Sequence, residues 1–247
     1  MTLTDFFIRY PKVAIAFSGG VDSAFLLYAG KCAKADVTAY YVKTQFQPQF
    51  EYEDAKRLAE ELAVPMKVIE LDILQDEIIK KNPDNRCYFC KQHIFSAILQ
   101  AAKADGYELV ADGTNASDDA ADRPGMKALA ELSVRSPFRE CGLTKDEIRR
   151  FSKEAGLFTW DKPAYACLAT RIKSGEPITE EKLKITEAAE DFLTGLGFFD
   201  FRVRMTGNMA RLQVKKEQFV LALEKKDIIV DELKKYYDAV MLDLEGR

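Results

Sequence analysis

One histidine, His93, and one CxxC pair are all that the 247 residues offer toward a zinc knuckle. A structural zinc site commonly takes two CxxC or CxxH pairs, so its second pair is missing. No apolar run approaches the roughly 18 residues of a membrane span, which excludes a helical membrane protein. The N-terminus "MTLTDFFIRYPKVAIAFSGG" lacks the basic start of a signal peptide, so a cytoplasmic location is expected. There cysteines stay reduced, and a CxxC pair more often binds metal or does chemistry than forms a disulfide. The net charge of −4 argues against a nucleic-acid partner held mainly through its phosphates, although a local basic site stays open. Internal repeats and low-complexity segments are also absent.

What remains is an ordinary globular composition, 47% hydrophobic and 31% charged, with ample material for a core. Residues 12–17 (KVAIAF), 38–43 (TAYYVK), 66–71 (MKVIEL) and 108–111 read as buried strands. Helices are expected at about 24–33, through Tyr52, Ala55, Leu58, Ala59 and Leu62, and at about 91–104. This alternation predicts an α/β fold, a parallel sheet with helices on both faces. Thr144 and Glu147 form a capping box, placing a further helix from Lys145 to about Gly156. After "KSGEP" the pattern changes: a helix at about 180–196, strands at 199–205 and 209–215, a charged helical stretch, and a last strand at 239–244. The expected organisation is a nucleotide domain, 1–172, and a smaller α+β domain, 173–247, for substrate binding or oligomerisation.

Ser18-Gly19-Gly20-Val21-Asp22-Ser23 lies between a strand and a helix, where backbone N–H groups and the helix dipole attract an anion. Two glycines let the backbone approach an oxyanion, and the hydroxyls of Ser18 and Ser23 add donors. The GK[ST] ending of the Walker loop is missing. The string resembles instead the pyrophosphate loop of the N-type ATP pyrophosphatases, which cleave ATP between its α and β phosphates, attach AMP to a substrate oxygen and let a nucleophile displace it. The resemblance implies ATP as cosubstrate and Asp22 as a ligand of Mg2+. "DGTNASDD", 112–119, follows a strand at its carboxyl end, where open α/β sheets bind ligands. It resembles the second nucleotide motif of that superfamily, with Gly113, Thr114 and Asn115 shaping the pocket and Asp118 or Asp119 available for metal.

"NRCYFCKQHIF", 85–95, places Cys87 and Cys90 just ahead of an expected helix. Zinc, a redox pair and an iron–sulfur cluster are the three readings open to them. Cys167, in the charge-poor stretch "KPAYACLATRIKSG" between the expected domains, could supply a third thiolate. Three thiolates with no fourth protein ligand would hold a [4Fe–4S] cluster with one iron open to sulfur or substrate. A buried hydrophobe is the plainer reading of Cys167. Cys32 falls on an apolar helix face and is expected in the core.

In order and combination, SGGVDS at 18–23, NRCYFCK at 85–91, DGTN at 112–115, VRSPF at 134–138, ACLATR at 166–171 and FRVR…ARLQV at 201–214 resemble the LarE-type, ATP-dependent sulfur transferases of nickel-pincer nucleotide cofactor synthesis. That resemblance covers nearly the whole chain. It implies adenylylation of a carboxylate of pyridinium-3,5-dicarboxylate mononucleotide, then displacement of AMP by sulfur to leave a thiocarboxylate destined for the cofactor of lactate racemase. In one type of the family the cysteine matching Cys167 gives up its own sulfur and ends as dehydroalanine. In another, an added CxxC like Cys87 and Cys90 goes with a [4Fe–4S] cluster, the version expected here. A small nucleotide substrate, contact with other cofactor-biosynthesis proteins, no membrane partner and a homo-oligomer are also implied. A thiolate or sulfide needs no histidine base, so His93 is left without a role.

A hairpin turning at Gly207-Asn208 would put Phe201, Val203, Met205, Ala210, Leu212 and Val214 on one side and Arg202, Arg204 and Arg211 on the other. Arg204 would then face Arg211, a like-charge pair that a bound phosphate would relieve. The family resemblance agrees, implying that these arginines contact the substrate phosphate. Arg171 is a second candidate contact. Rival readings are a tRNA thiouridine synthetase, an ammonia-using ligase resembling NAD synthetase, and a nucleotide-binding module with zinc. Residues 175–247 hold 12 Lys+Arg against 15 Asp+Glu, a poor surface for a large RNA.

Overall fold

A computed structural model describes residues 1–118 and 124–247. In chain order the elements are α1 (Leu3–Arg9), β1 (Lys12–Ala16), α2 (Val21–Cys32), β2 (Asp36–Lys43), α3 (Gln49–Glu61), β3 (Met66–Glu70), α4 (Glu77–Lys80) and α5 (Arg86–Ala104). There follow β4 (Val110–Ala111), α6 (Pro124–Glu131), α7 (Pro137–Glu140), α8 (Lys145–Glu154), α9 (Glu180–Gly195), β5 (Arg202–Thr206), β6 (Met209–Gln213), α10 (Phe219–Glu224), α11 (Lys226–Leu233) and β7 (Ala239–Leu242).

Residues 1–73 and 85–162 make one compact unit. Its four strands pair in parallel in the order β3-β2-β1-β4, with Ile15 opposite Ala39 on one side and Ala111 on the other. Successive strand residues point to opposite faces, and both faces here are apolar. Val13, Ile15, Val37 and Tyr41 pack with Phe7 of α1 and Leu26 of α2. Ala14, Tyr40 and Val42 pack with Phe95 and Ile98 of α5 and Leu129 of α6. The expected parallel sheet, clothed on both sides, is therefore present. The expected cap of α8 is present too, Thr144 and Glu147 satisfying each other's backbone N–H groups.

Residues 74–84 and 163–247 form the other unit. Here β5 and β6 pair antiparallel and β7 joins β6 in parallel. The hairpin turns at Gly207 and Asn208 with Arg204 opposite Arg211, the register that the alternation predicts. Phe201, Val203, Met205, Ala210, Leu212 and Val214 are all buried. The units do not follow a single cut after residue 172. Asn82, held at φ +57°, donates through its amide to the carbonyls of Lys173 at 2.9 Å and Glu176 at 3.1 Å, and the Gly175 N–H returns a bond to its carbonyl at 2.8 Å. These contacts carry 74–84 into the C-terminal unit.

Two expectations need correction. Cys87 and Cys90 lie inside α5, which starts at Arg86 because nothing between Asn85 and Lys91 breaks a helix. Cys32 is the last residue of α2 and is exposed, since the buried face of that helix ends at Gly30.

Candidate functional site

The sheet unit presents its phosphate loop where β1 gives way to α2. Gly20 is the N-cap of α2, and no side chain caps the helix, so its leading N–H groups are left for a ligand. Gly19 adopts φ +72°, a left-handed conformation, and a Cβ there would stand 3.0 Å from the Ala55 Cβ and 3.2 Å from the Glu51 carbonyl of α3. The two serines stiffen the loop. Ser23 Oγ accepts from the Ser18 N–H at 3.2 Å, lies 3.1 Å from Ser18 Oγ and donates to the Gly20 carbonyl at 3.3 Å.

Asp22, in the first turn of α2, ties this loop to two others. Its Oδ1 accepts from the Asn115 amide at 3.3 Å, and its Oδ2 is ion-paired with Lys145. Gly113 lies so close to α2 that a Cβ there would come within 2.9 Å of the Ser23 nitrogen. The loop containing Gly113, Thr114 and Asn115 is organised by Asp112, whose carboxylate accepts from the Ser136 hydroxyl at 2.7 Å, the Thr114 hydroxyl at 2.5 Å and the Thr114 N–H at 3.3 Å. Burial pushes the Asp112 pKa above the usual carboxylate range, against the lowering effect of these donors and of Lys91. Asp118 Oδ2 accepts from the Asn115 N–H at 3.1 Å, and Asp119 lies outside the described residues.

Lys145 is the functional candidate that the sequence reading missed. A lysine at the first position of a helix meets the positive end of the dipole, an unfavourable place unless an acid answers it. Asp22 answers it here. That mismatch of charge and dipole was the available signal. Magnesium commonly takes one or two carboxylates together with phosphate oxygens and water. Asp22, whose side chain is 25% exposed, fits as the protein's share of such a set.

In the same unit, Cys87 and Cys90 stand one helical turn apart on α5, Cys87 exposed and Cys90 buried. The adjoining face of α5 is tied to α6, where Glu131 Oε2 accepts from the Tyr88 hydroxyl and the Gln92 amide, both at 2.7 Å. His93 is exposed on α5. All five cysteines are thiols rather than disulfides. Among the described residues, no three of His, Cys, Asp and Glu gather into a set able to hold a metal ion. Of the three cysteines expected to form one set, Cys87 and Cys90 belong to this unit and Cys167 to the other.

Cys167 belongs to the C-terminal unit, half-buried at the start of a short 3₁₀ helix, Leu168–Arg171. The arginines expected to meet an anion surround this segment. Arg171 is fully buried and paired bidentately with Glu190 at 2.8 and 2.9 Å, so its guanidinium is not presented to solvent. Arg202 is buried, donating to the carbonyls of Phe201 at 2.5 Å and Ala164 at 2.6 Å. Burial, then the neighbouring Arg171 and Arg247 cations, pull its pKa down to about 10. Arg204 donates to the Thr170 carbonyl at 2.7 Å and to Gln213. Arg211 is the most open of the four and lies 3.6 Å from Asp243. The like-charge pair of Arg204 and Arg211 is thus relieved within the protein by Gln213, Asp243 and a backbone carbonyl.

Comparison with known proteins adds a family context. The family model described as queuosine biosynthesis protein QueC matches residues 12–85, from β1 to the residue before α5. A Synechocystis protein named slr1717 is 37% identical over 99% of this chain and 92% of its own. The pyridinium-3,5-bisthiocarboxylic acid mononucleotide synthase of Lactiplantibacillus plantarum is 32% identical over 95% of this chain and 86% of its own. A tRNA-specific 2-thiouridylase MnmA of Pseudothermotoga lettingae is 30% identical over 61% of this chain and 54% of its own.

Proposed function

The chain belongs to the LarE family of pyridinium-3,5-bisthiocarboxylic acid mononucleotide synthases, ATP-dependent sulfur transferases with a pyrophosphate-loop domain, and on that premise we propose that it thiolates a pyridinium-3,5-dicarboxylate mononucleotide. The observation that carries this reading is the uncapped N-terminus of α2, with Asp22 joined to Lys145 and Asn115 beside it. The α2 amides and the Ser18 and Ser23 hydroxyls receive the phosphates, Asp22 would hold a magnesium ion that neutralises them, and Lys145 adds a cation where the pyrophosphate charge develops. A carboxylate oxygen of the substrate attacks the α-phosphorus, the bond to the β-phosphate oxygen breaks, and pyrophosphate leaves. The acyl adenylate then takes a sulfur nucleophile at its carbonyl carbon and expels AMP.

Cys167 is the sulfur-handling residue in this proposal. If its own sulfur is transferred, the thiolate forms a thioester with loss of AMP. Removal of the Cα proton and cleavage of the Cβ–S bond then release the thiocarboxylate and leave dehydroalanine. In the alternative that the family resemblance implies, Cys87, Cys90 and Cys167 would hold a [4Fe–4S] cluster, which would supply sulfide in place of the Cys167 sulfur. Destination of the product in the lactate racemase cofactor, magnesium as the assisting ion and a homo-oligomeric state belong to the same proposal. Arg211, the most open of the four arginines, is assigned to the substrate phosphate.

Pyrophosphate release from ATP, with and without the dicarboxylate mononucleotide, tests the activation half of the reaction. Release that depends on this substrate and yields AMP supports it; formation of ADP, or release indifferent to the substrate, overturns it. A tRNA substrate is disfavoured by the acid excess of residues 175–247.

A further inference from the structure

We infer that Tyr165 is a positioning residue for the Cys167 thiol, the post that steadies two of the three arginines fastening the segment 164–171; this rests on the reading of Cys167 as the sulfur-handling residue. The fastening is through backbone carbonyls. Arg202 Nη2 donates to Ala164 at 2.6 Å, Arg171 Nη1 to Ala166 at 2.8 Å and Arg204 Nη1 to Thr170 at 2.7 Å. The carbonyl of Cys167 itself accepts from the N–H of Thr170 at 2.9 Å and from its hydroxyl at 2.8 Å. Leu168 and Ala169, which follow the cysteine, are buried, whereas Ala164 and Ala166 before it are exposed and held through their carbonyls. What freedom the thiol keeps is rotation about its Cα–Cβ bond among three staggered rotamers.

Such a clamp has an electrostatic difficulty, because buried like charges repel strongly where water is excluded. The guanidiniums of Arg171 and Arg202 lie 4.5 and 4.9 Å from the centroid of the Tyr165 ring. Arg171 is neutralised by Glu190, whereas the carboxylate of Asp200 comes only to 4.0 Å from Arg202. The π face of Tyr165 attracts both cations. Its hydroxyl donates to Glu190 Oε2 at 2.5 Å, and Glu190 Oε1 accepts from the Val203 N–H of β5 at 2.9 Å. One aromatic side chain therefore supports two cations and helps hold the carboxylate that anchors one of them. Losing it frees the carbonyls of Ala164 and Ala166, the residues leading into Cys167.

The test uses the full chain with Tyr165→Leu, which removes ring and hydroxyl, and Tyr165→Phe, which removes the hydroxyl alone. Iodoacetamide labelling of Cys167, followed on its peptide by mass spectrometry, is expected to be about tenfold faster in Tyr165→Leu and intermediate in Tyr165→Phe, since local opening governs reaction of a held segment. The second readout is thiocarboxylate formed per pyrophosphate released. That ratio is expected to fall in Tyr165→Leu and to recover in Tyr165→Phe, whereas a residue that only supports the fold would lower both products together. Labelling of Tyr165→Leu at the wild-type rate, or an unchanged ratio, would overturn the inference. Should Tyr165→Leu not fold, labelling of Tyr165→Phe at the wild-type rate would overturn it alone. Wild-type protein that forms no thiocarboxylate would instead refute the proposed function, leaving the labelling comparison to decide the positioning role.

Discussion

Replacing Gly113 with alanine probes the junction between the two nucleotide loops. An added Cβ would lie 2.9 Å from the Asp22 Cβ, 2.9 Å from the Ser23 nitrogen and 3.1 Å from the Asp22 carbonyl carbon. Two of these three neighbours are backbone atoms of the first turn of α2, which cannot swing aside as the tip of a side chain can. The loop must draw back instead, lengthening the 3.3 Å bond from Asn115 to Asp22. Overpacking of this kind costs about 1–3 kcal/mol. At 1.4 kcal/mol per tenfold, ATP affinity should weaken by about 5- to 140-fold if the cost falls on the arrangement that binds nucleotide. Calorimetric titration with ATP measures this directly, with Gly195→Ala as the control, because nothing lies within 4 Å of a Cβ at that helical position. Wild-type ATP affinity and melting temperature in Gly113→Ala would show that the two loops are not joined as described.

Lys145→Met is expected to reduce substrate-dependent pyrophosphate release by at least about tenfold, with partial recovery in Lys145→Arg, because a cation is lost from the phosphate site. Quenched-flow assay of pyrophosphate checks it. The Arg135 guanidinium, bonded to Glu140 at 2.7 Å, holds the carboxyl of Glu140 below its ordinary value of 4.5. The stability from this pair is fully present above that pH and is lost as pH falls through the lowered folded value. Glu140→Gln should flatten the acid limb of the melting curve by under about 1 kcal/mol, the pair being partly exposed. Anaerobically purified protein carrying the proposed cluster should hold about four iron atoms per chain with matching acid-labile sulfide, and Cys87→Ala should lose both. Iron-free wild-type protein that thiolates its substrate once would assign the sulfur to Cys167.

Local signals were legible in the sequence to the extent that neighbours in the chain settle the structure. The apolar run before Ser18, the glycines of the phosphate loop, the capping box of Thr144 and Glu147, and the hairpin turn at Gly207-Asn208 each depend on residues a few positions apart. Each is found where the pattern puts it. What stayed hidden depends on distant partners. Asn82 reaches carbonyls about ninety positions away, which is why 74–84 joins the C-terminal unit. Arg202 alternates correctly with Val203, yet the polar face it occupies is covered by the 164–171 segment rather than by water. Arg171 reads as a candidate anion contact until Glu190 is seen beside it. Lys145 and Asp22, 123 residues apart, meet only through the fold.

The measurement that bears most directly on the sulfur-transferase reading is mass spectrometry of the pyridinium dicarboxylate mononucleotide after incubation with protein, ATP and magnesium, with AMP quantified in the same tube. Replacement of a carboxylate oxygen by sulfur, with AMP formed in step and none of the thiolated product from Cys167→Ser, is the expected result. AMP formed while the nucleotide keeps all its oxygens, or thiolation undiminished in Cys167→Ser, would contradict it.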